Sequence, residues 1–276
     1  MLTVGLIQQT AARDFAPNLA FLEDQVRAAA AQGARFILAP ENCAMLEPDR
    51  AAHRAKAQPE ETHPLPPLFA RLAQETGAWL LAGSIAVKVG DDKLANRSLL
   101  FAPDGSVAAR YDKIHLFDVD LANGESYRES ALIAPGGAAV TVATPIAKLG
   151  LSVCYDLRFP ALFRALAQAG AEILTIPAAF TVPTGEAHWH VLLRARAIET
   201  GAFVLAPAQT GTHAEGRRTY GHSLIVAPWG EIIAEAGTEP GLLLATLDLA
   251  EVTKARQRIP SLTHDRAFTP PSFLSA

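Results

Sequence analysis

Residues 147–180 read AKLGLSVCYDLRFPALFRALAQAGAEILTIPAAF, a sequence in which two apolar runs flank a helical pattern. The apolar runs predict strands over 147–154 and 171–180, and the spacing of the apolar residues between them predicts a helix over 160–170. A helix between two strands is typical of a crossover unit, whose strands lie parallel in one sheet. This stretch therefore favours the α/β class.

Similar elements occupy the rest of the chain. We predict strands over 2–9, 34–40, 79–87, 202–209 and 241–249, helices over 15–33, 185–201 and from Ala250, and hairpins over 93–111 and 221–237. Strands with little polar alternation are typical of sheets covered on both faces, and hairpins beside crossover units indicate mixed sheets. We expect a single domain over 1–276, in which residues 260–276 form a tail that docks on the core or on a partner chain.

The composition limits the possible partners and locations. The 276 residues are 50% hydrophobic, so the chain can bury a large core, and a net charge of −4 offers no basic surface for a nucleic acid. No apolar run reaches the roughly 20 residues that a membrane-spanning helix requires. The opening MLTVGLIQQT lacks the features of an export signal, and two cysteines do not make a secreted disulfide framework. We therefore expect a cytoplasmic protein with neither nucleic-acid nor membrane partners.

Cys154 is the first candidate for chemistry. It lies in GLSVCYDLRFP (150–160), where a predicted strand ends and a predicted helix begins near Pro160. A strand, a sharp turn and a helix are the context of a nucleophile elbow, in which backbone N–H groups near the helix start can face a developing oxyanion. A small, inert, buried core residue is the alternative interpretation of a lone cysteine.

A thiol nucleophile needs a base, and histidine is its usual partner. None of the eight histidines lies in a recognisable context of its own. His188 and His190 are two positions apart on a predicted helix and so point to different faces, which is poor spacing for a shared metal. His222 is equally ambiguous, because it lies at the start of a predicted strand. Carboxylates are therefore considered as well.

Three charged residues lie where an α/β fold places functional side chains. Glu41 follows the apolar strand FILAP, and Lys113 follows the predicted hairpin, so both occupy the C-terminal end of a strand. Glu129 lies in the long irregular segment 112–135, and such segments are often functional. The Pro- and Ala-rich segment 45–68 is expected to be a surface excursion near a site. Ordinary loop charges are the alternative interpretation of each of the three residues.

Taken together, four motifs resemble the nitrilase, or carbon–nitrogen hydrolase, superfamily: PEN at 40–42, DKIHLFDVD at 112–120, YRES at 127–130 and CYDLRFP at 154–160. The resemblance extends through GEAHWHVLLRARAIETGAF, YGHSLIVAPWGEI and GLLLATLDL, and so covers nearly the whole chain. It implies a four-layer αββα sandwich that forms a dimer or a larger homo-oligomer. Within the superfamily, the motifs look like the Nit branch of small amidases.

The resemblance also implies the role of each candidate residue. Glu41 is the general base, Cys154 the nucleophile and Lys113 the cationic stabiliser, while Glu129 is a second carboxylate that orients the lysine and the base. Lys113 and the backbone N–H of Tyr155 hold the tetrahedral oxyanion. The reaction is hydrolysis of a small-molecule amide through a thioester, and it requires no metal and no organic cofactor.

The proposed base and nucleophile differ widely in acidity. A free glutamate has a pKa of about 4.3 and a free cysteine one of about 8.5, so the proton transfer is uphill by roughly four units. We expect desolvation and the neighbouring Glu129 to raise the pKa of Glu41. We also expect the Lys113 ammonium to stabilise the Cys154 thiolate. The arrangement therefore requires a shielded pocket.

The segment AQTGTHAEGRRTYGHS (208–223) looks most like superfamily members that hydrolyse deaminated glutathione to 2-oxoglutarate and cysteinylglycine. The alternative substrates are 2-oxoglutaramate and 2-oxosuccinamate, which ω-amidases hydrolyse. All of these carry carboxylates, so a cation is expected in the pocket. The candidate cations are Arg158, Arg194, Arg196, Arg217 and Arg218.

His188, Trp189 and Glu186 are further candidates for contact with the substrate. Glu186 stands where close relatives typically have proline. Near the pocket, its carboxylate would repel an anionic substrate, whereas at a helix N-terminus its negative charge is favourable. Cys43 lies two residues after Glu41 and is interpreted as a packing residue, with a regulatory disulfide to Cys154 as a weaker hypothesis.

Two other classes of function stay open from the residues alone. A catalytically idle member of the superfamily would serve as an interaction module, although all four expected catalytic positions carry competent residues. A metallohydrolase built on histidines would lose activity with a chelator, whereas a thiol mechanism would lose it with an alkylating agent.

Overall fold

The structure is a computed structural model that describes residues 1–90, 92–121 and 124–271. Its strands, in chain order, are β1 (Leu2–Gln8), β2 (Phe36–Leu38), β3 (Trp79–Val89), β4 (Lys93–Phe101), β5 (Val107–Asp112), β6 (Asp118–Asp120), β7 (Ser126–Arg128), β8 (Val140–Ala143), β9 (Lys148–Leu151), β10 (Ile173–Thr175), β11 (Phe203–Ala206), β12 (Thr210–Thr212), β13 (Arg218–Tyr220), β14 (Leu224–Val226), β15 (Ile232–Glu235) and β16 (Gly241–Leu247). Its α-helices are α1 (Phe15–Ala31), α2 (Arg50–Lys56), α3 (Leu65–Thr76), α4 (Pro160–Gln168), α5 (Val182–Thr200) and α6 (Ala250–Arg258).

Two six-stranded mixed sheets form the centre of the molecule. The first has the order β16-β1-β2-β3-β4-β5, and the second has the order β15-β14-β11-β10-β9-β8. Strands β9, β10 and β11 are parallel, as are β1, β2 and β3, and hairpins add antiparallel strands at the edges. The crossover unit predicted over 147–180 is therefore β9, α4 and β10 of the second sheet.

Alternating side chains explain why each sheet is covered on both faces. In β2, Phe36 and Leu38 enter the core between the two sheets, whereas Ile37 enters a second core beneath α1 and α3. Successive residues of a strand point to opposite faces, so a wholly apolar strand must be buried on both sides. Helices α4 and α5 cover the outer face of the second sheet, with Phe163 and Trp189 in its core. The α/β, four-layer αββα prediction is confirmed.

The structure differs from the sequence-based prediction in short elements. Helix α3 and strand β8 were not predicted, and the segment 112–135 contains the small β6–β7 hairpin. Helix α5 begins at Val182 instead of at residue 185, so Glu186 lies beyond its first residues. The excursion over 45–68 contains α2 and the start of α3.

The C-terminal tail begins by contacting the core. Arg164 of α4 donates a hydrogen bond to the carbonyl of Ser261 at 2.9 Å and forms an ion pair with Asp265. Gln168, one turn later on α4, donates to the carbonyl of Leu262 at 3.1 Å. Residues 272–276, the end of the predicted tail, lie outside the described residues. Within the described ranges, every helix is too short or too polar to cross a membrane.

Candidate active site

Four of the predicted residues meet at the end of the two sheets. Glu41 follows β2, Lys113 follows β5, Cys154 follows β9, and Glu129 comes from the turn after β7. The Lys113 Nζ lies 3.0 Å from Glu41 Oε1 and 2.9 Å from Glu129 Oε2. The Cys154 thiol hydrogen-bonds to the Glu41 carboxylate. Lys113 and Glu41 are 2% and 3% exposed, so this cluster of charges is almost fully removed from solvent.

A bulge in β3 holds the turn that carries Glu41. The register of β3 against β4 shifts between Ala82 and Ile85, and the bulge residue Ser84 accepts on its Oγ a hydrogen bond from the backbone N–H of Asn42 at 3.0 Å. A Cβ at Gly83 would lie 1.9 Å from the carbonyl oxygen of Ala39. Glycine at position 83 is therefore required for this close approach of the two backbones.

Cys154 lies on a sharp turn, as the elbow hypothesis predicts. Its φ of +50° is in the left-handed region, which residues other than glycine seldom adopt. The Cys154 backbone N–H donates to the carbonyl of Pro177 at 2.9 Å, and a 3₁₀ turn over Cys154–Arg158 follows. The first hydrogen bond of this turn runs from Asp156 N–H to the carbonyl of Val153, so the Tyr155 N–H is not used within the turn.

The Asp156 side chain holds this turn in place through hydrogen bonds. Its buried carboxylate accepts hydrogen bonds from the Tyr111 hydroxyl at 2.6 Å, from the Val153 N–H at 2.8 Å and from the His115 N–H at 3.0 Å. The His115 ring also contacts Asp156 through Nδ1 and stacks on Phe159. The Cys154 turn is thereby tied to β5 and to the segment that carries Lys113, so the nucleophile candidate and the cation keep a fixed spacing.

Asn96 is part of the cluster, and the sequence analysis missed it. Its Nδ2 donates to Glu41 Oε1 at 2.9 Å and to Glu129 Oε1 at 3.2 Å, so the amide bridges the two carboxylates. Glu129 also accepts from the Phe117 N–H at 2.7 Å. An asparagine within the predicted hairpin strand is the signal that could have identified it, because an amide buried in a sheet needs polar partners.

The electrostatics of the cluster place the proton on sulfur. Burial raises the pKa of the Cys154 thiol well above its usual range, and the adjacent Glu41 charge raises it further, while Lys113 opposes the shift. Burial also raises the pKa of Glu41, but Lys113 and the hydrogen bonds from Cys154, Lys113 and Asn96 outweigh it, so that pKa is lowered. The expectation of a raised Glu41 pKa was therefore wrong, because it left out the ammonium 3.0 Å away.

Lys113 stays charged at neutral pH. Burial lowers its pKa, but Glu129, Glu41 and Cys154 together outweigh that effect, and the pKa of Lys113 lies well above its ordinary value. The resting site thus holds an ionised Glu41, an ammonium and a neutral thiol. Such an arrangement can accept a proton from sulfur when a carbonyl group approaches, and it can stabilise the negative charge that then develops on oxygen.

A cavity of about 310 Å³ opens above this cluster. Glu41, Lys113, Glu129 and Cys154 line it together with aromatic side chains. The cationic and histidine side chains in its wall are Arg50, His53, Lys113, Arg128, Arg158 and Arg217. The Arg158 guanidinium lies over the rings of Tyr155 and Phe180, and the Arg217 guanidinium over the ring of Tyr127. The Arg158 and Arg217 guanidiniums thus lie over different rings of the wall, and each is a cation of the kind that the carboxylates of the expected substrates require.

Other predicted substrate-binding residues lie elsewhere. Trp189 is 1% exposed in the core, where it packs against Phe180, so it supports the cavity wall from behind. Glu186 is exposed on α5, and His188, also exposed, contacts the cavity residue Arg158 at 3.3 Å. None of the three is among the residues that line the cavity, so their contact with the substrate stays a prediction.

Three of the five candidate arginines also lie outside the cavity lining. Arg194 donates to the carbonyl of Gly230 at 2.8 Å, and Arg196 is buried against Leu157 and paired with Glu199. Arg218 is exposed on β13. Arg158 and Arg217 are thus the two of the five that the structure brings to the cavity.

Buried polar atoms that lack a hydrogen-bond partner also indicate that the cavity is a binding site. Among the described residues, four buried side-chain N or O atoms have no hydrogen-bond partner, and three of them, His53 Nε2, Asn96 Oδ1 and Arg217 Nε, belong to cavity residues. Burial lowers the pKa of His53 to about 4, so its imidazole is neutral at pH 7. A buried polar atom without a partner is costly, and a bound polar ligand would satisfy it.

Cys43 is a packing residue in this structure. It is fully buried, its Sγ contacts the carbonyl of Ser84 at 3.4 Å, and burial raises the pKa of its thiol to about 12. Cys43 and Cys154 are both free thiols. The raised pKa leaves Cys43 without the thiolate that nucleophilic chemistry or exchange requires.

The chain is similar to named amidases over most of its length. Over 266 residues it is 41% identical to the deaminated glutathione amidase of Yersinia enterocolitica, with 95% of this chain and 92% of the relative covered. It is 42% identical over 263 residues to a protein of the same name from Synechocystis sp., with 94% and 96% covered. The omega-amidase of Homo sapiens is 36% identical over 246 residues, with 88% and 87% covered.

Solved structures show the same fold. The C. elegans NitFhit protein superposes with a TM-score of 0.89 at 33% identity over 96% of this chain, which spans 65% of that longer chain. A mutant of the amidase from Nesterenkonia sp. AN1, solved after Michael addition of acrylamide at its active-site cysteine, has a TM-score of 0.80 at 27% identity, with 94% and 98% covered. The carbon-nitrogen hydrolase family model matches residues 3–257, and the chain accordingly belongs to the carbon-nitrogen hydrolase family.

Proposed function

We propose that this carbon–nitrogen hydrolase is an amidase in which Cys154 is the nucleophile, Glu41 the general base and Lys113 the stabilising cation. The observation that carries the proposal is the buried contact of Lys113 with Glu41 and Glu129 beside a thiol that hydrogen-bonds to Glu41. This contact lies on the wall of a 310 Å³ cavity, which is within the usual size range of small-molecule sites.

The first half of the reaction forms a thioester. As Cys154 Sγ attacks the amide carbonyl carbon, Glu41 takes the thiol proton and a C–S bond forms, while the carbonyl π electrons move to oxygen. The Lys113 ammonium and the Tyr155 N–H stabilise that oxygen. The tetrahedral intermediate collapses, the C–N bond breaks, and the nitrogen leaves with the proton that Glu41 had taken.

The second half releases the acid. A water molecule attacks the thioester carbonyl and loses a proton to Glu41, and the C–S bond then breaks. The departing sulfur recovers the proton from Glu41, so the site returns to an ionised carboxylate and a neutral thiol. Glu129 and Asn96 hold Lys113 and Glu41 in place throughout, through the contacts described above.

Deaminated glutathione is the proposed substrate. Two relatives that bear this name are 41% and 42% identical to nearly the whole chain. The compound carries one carboxylate on its acyl part and another on its leaving group, and Arg158 and Arg217 lie over different rings of the cavity wall. An ω-amidase activity on 2-oxoglutaramate is the alternative, supported by the 36% identical human relative.

A paired assay tests the proposal. The wild-type chain and Cys154→Ala are given deaminated glutathione or 2-oxoglutaramate, and release of 2-oxoglutarate is measured, with Cys43→Ala as a matched control for loss of a buried thiol. We expect turnover by wild type and Cys43→Ala only, and a higher kcat/KM for deaminated glutathione. Equal release by Cys154→Ala would exclude this nucleophile, and a preference for 2-oxoglutaramate would select the alternative.

Arg158→Met and Arg217→Met separate the two ends of the substrate. The leaving group of 2-oxoglutaramate is ammonia, which has no carboxylate, whereas that of deaminated glutathione has one. Removal of the arginine that binds the leaving group should therefore raise KM for deaminated glutathione alone. Removal of the arginine that binds the acyl part should raise KM for both compounds. If neither substitution raises either KM, the assignment of these two cations is wrong.

We also infer the context in which the enzyme works. Residues 1–276 act as one domain, which is supported by the family match over 3–257 and by the core shared between the two sheets. A homodimer is supported by exposed apolar side chains on α5 and near β15, which we infer to form one patch: Val191, Ile198, Trp229, Ile232 and Ile233. A cytoplasmic location suits a mechanism that depends on a reduced thiol, and cell fractionation with an antibody against the chain tests it.

A further inference from the structure

A second cluster of chemically active side chains lies among residues that do not line the cavity. His190 Nε2 and His222 Nδ1 both contact Glu235 Oε1, at 2.9 and 2.8 Å. The three potential ligand atoms all lie within 4.8 Å of one another. The side chains are 25–35% exposed, so an ion and water can reach them.

The three residues come from three different elements that are held together closely. A Cβ at Gly185 of α5 would lie 2.2 Å from Tyr220 Cγ, so the helix packs directly on the tyrosine at that position. The Tyr220 ring stacks on the His222 ring with centroids 4.4 Å apart. His190 follows Gly185 by about one and a half turns of α5 and lies beside the rings of Tyr220 and His222. The packing therefore brings the two imidazoles together before any ion is present.

The backbone of His222 is also fixed in an unusual conformation. Its φ is +54°, and its N–H donates to the carbonyl of Gly237 at 3.1 Å, while its carbonyl accepts from Trp189 Nε1 at 2.8 Å. A non-glycine residue in the left-handed region is strained, and such strain persists only where the surroundings impose it. Here it aims the imidazole at Glu235.

We propose that His190, His222 and Glu235 form a binding site for Zn²⁺, separate from the amidase cavity. Two imidazole nitrogens and a carboxylate oxygen are a donor set that Zn²⁺ binds, with a water molecule in the fourth position. Bonds of about 2.1 Å in a tetrahedral site separate the ligand atoms by roughly 3.4 Å. The two contacts to Glu235 thus need to open by about half an ångström.

The charges around the cluster favour a cation. Glu186, four positions before His190 on α5, and Glu235 both act electrostatically on Tyr220, so two carboxylates lie near the site. Glu186 and His190 lie on one face of the helix because they are four residues apart. The bound ion would join α5 to β15 by coordination. Its role is structural, since the cluster lies outside the residues that line the cavity.

Titration calorimetry with ZnCl₂ on the metal-stripped full chain tests the site. The Cys154→Ala background is used, because a thiol beside a carboxylate also binds Zn²⁺. We expect one Zn²⁺ per chain, and an affinity at least about tenfold weaker in His222→Asn and in Glu235→Gln, each of which loses a good ligand. Asparagine is chosen at position 222 because it tolerates positive φ.

His188→Ala is the matched control, since His188 lies on the same helix, is exposed and contacts Arg158 instead of Glu235. It should bind Zn²⁺ like the parent. Addition of Zn²⁺ should raise the thermal unfolding midpoint of the parent and of His188→Ala, but not that of Glu235→Gln. Equal binding by the parent and Glu235→Gln would overturn the proposal, as would an absence of binding at 100 µM Zn²⁺, which would leave a hydrogen-bonded cluster only.

Discussion

At the scale of single residues, the chemistry depends on the proton between Cys154 and Glu41. The resting thiol is neutral because burial and the Glu41 charge raise its pKa, and Glu41 is ionised because Lys113 and its hydrogen bonds outweigh burial. In the proposed mechanism, an ionised base thus lies beside a nucleophile that is still protonated. Attack and proton transfer are expected to occur together, when the substrate carbonyl brings its own electrophilic carbon to the sulfur.

The substitution Glu41→Gln separates the role of Glu41 as a base from its effect on the pKa of the Cys154 thiol. Hydrolysis should fall by about 10²–10⁴-fold, because the base that takes the thiol proton is lost. Alkylation of Cys154 by iodoacetamide at pH 7 should become faster, because removing the Glu41 charge lowers the pKa of the thiol while Lys113 remains. Steady-state assay and mass spectrometry of the Cys154 peptide measure the two effects.

The control for this experiment is Glu23→Gln, which removes a carboxylate that pairs with Arg27 and Arg71 on the surface. It should change neither rate. Slower alkylation in Glu41→Gln than in wild type would contradict the assignment of Glu41 as the group that holds the proton on sulfur.

Asn96→Ala should shift the pH dependence of hydrolysis. Burial raises the pKa of Glu41, and Lys113, Cys154 and Asn96 lower it, so loss of the Asn96 amide raises it. The base works only when ionised, and activity is lost as the pH falls through its pKa. The acidic limb of the kcat/KM profile should therefore move to higher pH by about one unit, the value of one hydrogen bond to a charged group.

Ser98→Ala is the comparison variant for Asn96, because Ser98 lies on the same strand, is equally buried and donates to the carbonyl of Gly83. The acidic limb of its kcat/KM profile should stay at the same pH as that of the wild type. An unchanged limb in Asn96→Ala would show that the bridging amide does not tune Glu41.

At this scale the sequence predicts identities better than environments. Glu41, Lys113, Glu129 and Cys154 were named in advance, because motifs preserve residue type and order. The lowering of the Glu41 pKa and the role of Asn96 were not predicted, because both depend on which atoms lie within about 3 Å after folding. The burial of Trp189 behind Phe180 was not predicted either, since a helical pattern alone does not say which neighbour covers each face.

At the scale of elements, the turn after β9 is the part on which the site depends most. Asp156→Asn should lower the free energy of unfolding by about 2–4 kcal/mol, because the buried carboxylate accepts several hydrogen bonds and an amide would turn a donor toward some of them. It should also lower kcat, because the Cys154 turn loses its anchor. Urea unfolding at pH 7 and the steady-state assay measure both.

Tyr111→Phe serves as the graded control, since it removes only one of the donors to Asp156. It should cost about 1 kcal/mol and leave most of the activity. If Asp156→Asn were as stable as wild type, the network beneath the turn would not be what holds Cys154 in its left-handed conformation.

Elements with strong apolar patterns were predictable, and short or interrupted ones were not. Strand β1 and helix α5 were found within a few residues of their bounds, whereas α3 was missed because three prolines stand near its start. Strand β8 has only four residues, and its pairing with β9 decides its conformation. The site was insensitive to these errors, because Glu41, Lys113 and Cys154 follow strands β2, β5 and β9, which all overlap predicted strands.

At the scale of the whole molecule, the exposed apolar patch of α5 and β15 predicts association. Val191 and Ile198 are seven residues apart and share one face of α5, and Ile198 lies against Gly230 in the turn before β15. The double substitution Val191→Asp and Ile198→Asp should convert a homodimer to monomers, because it places two charges in the apolar interface. Light scattering after size-exclusion chromatography measures the mass.

Ala55→Asp, on the exposed side of α2 outside the patch, is the control and should keep the wild-type mass. A monomeric wild-type chain would contradict the dimer, and a dimer that survives the double substitution would place the interface elsewhere. Strands that are apolar on both faces predict sheets covered on both sides. The four-layer αββα arrangement was implied by the resemblance to the nitrilase superfamily.

The ionised state of Glu41 has a consequence for the direction of the reaction. Hydrolysis creates a carboxylate where a neutral amide stood, and this new anion forms beside a carboxylate that is itself charged. Two like charges repel strongly where water is largely excluded, and Glu41 is 3% exposed. We therefore expect weak product inhibition and a poor ability to join an acid to an amine.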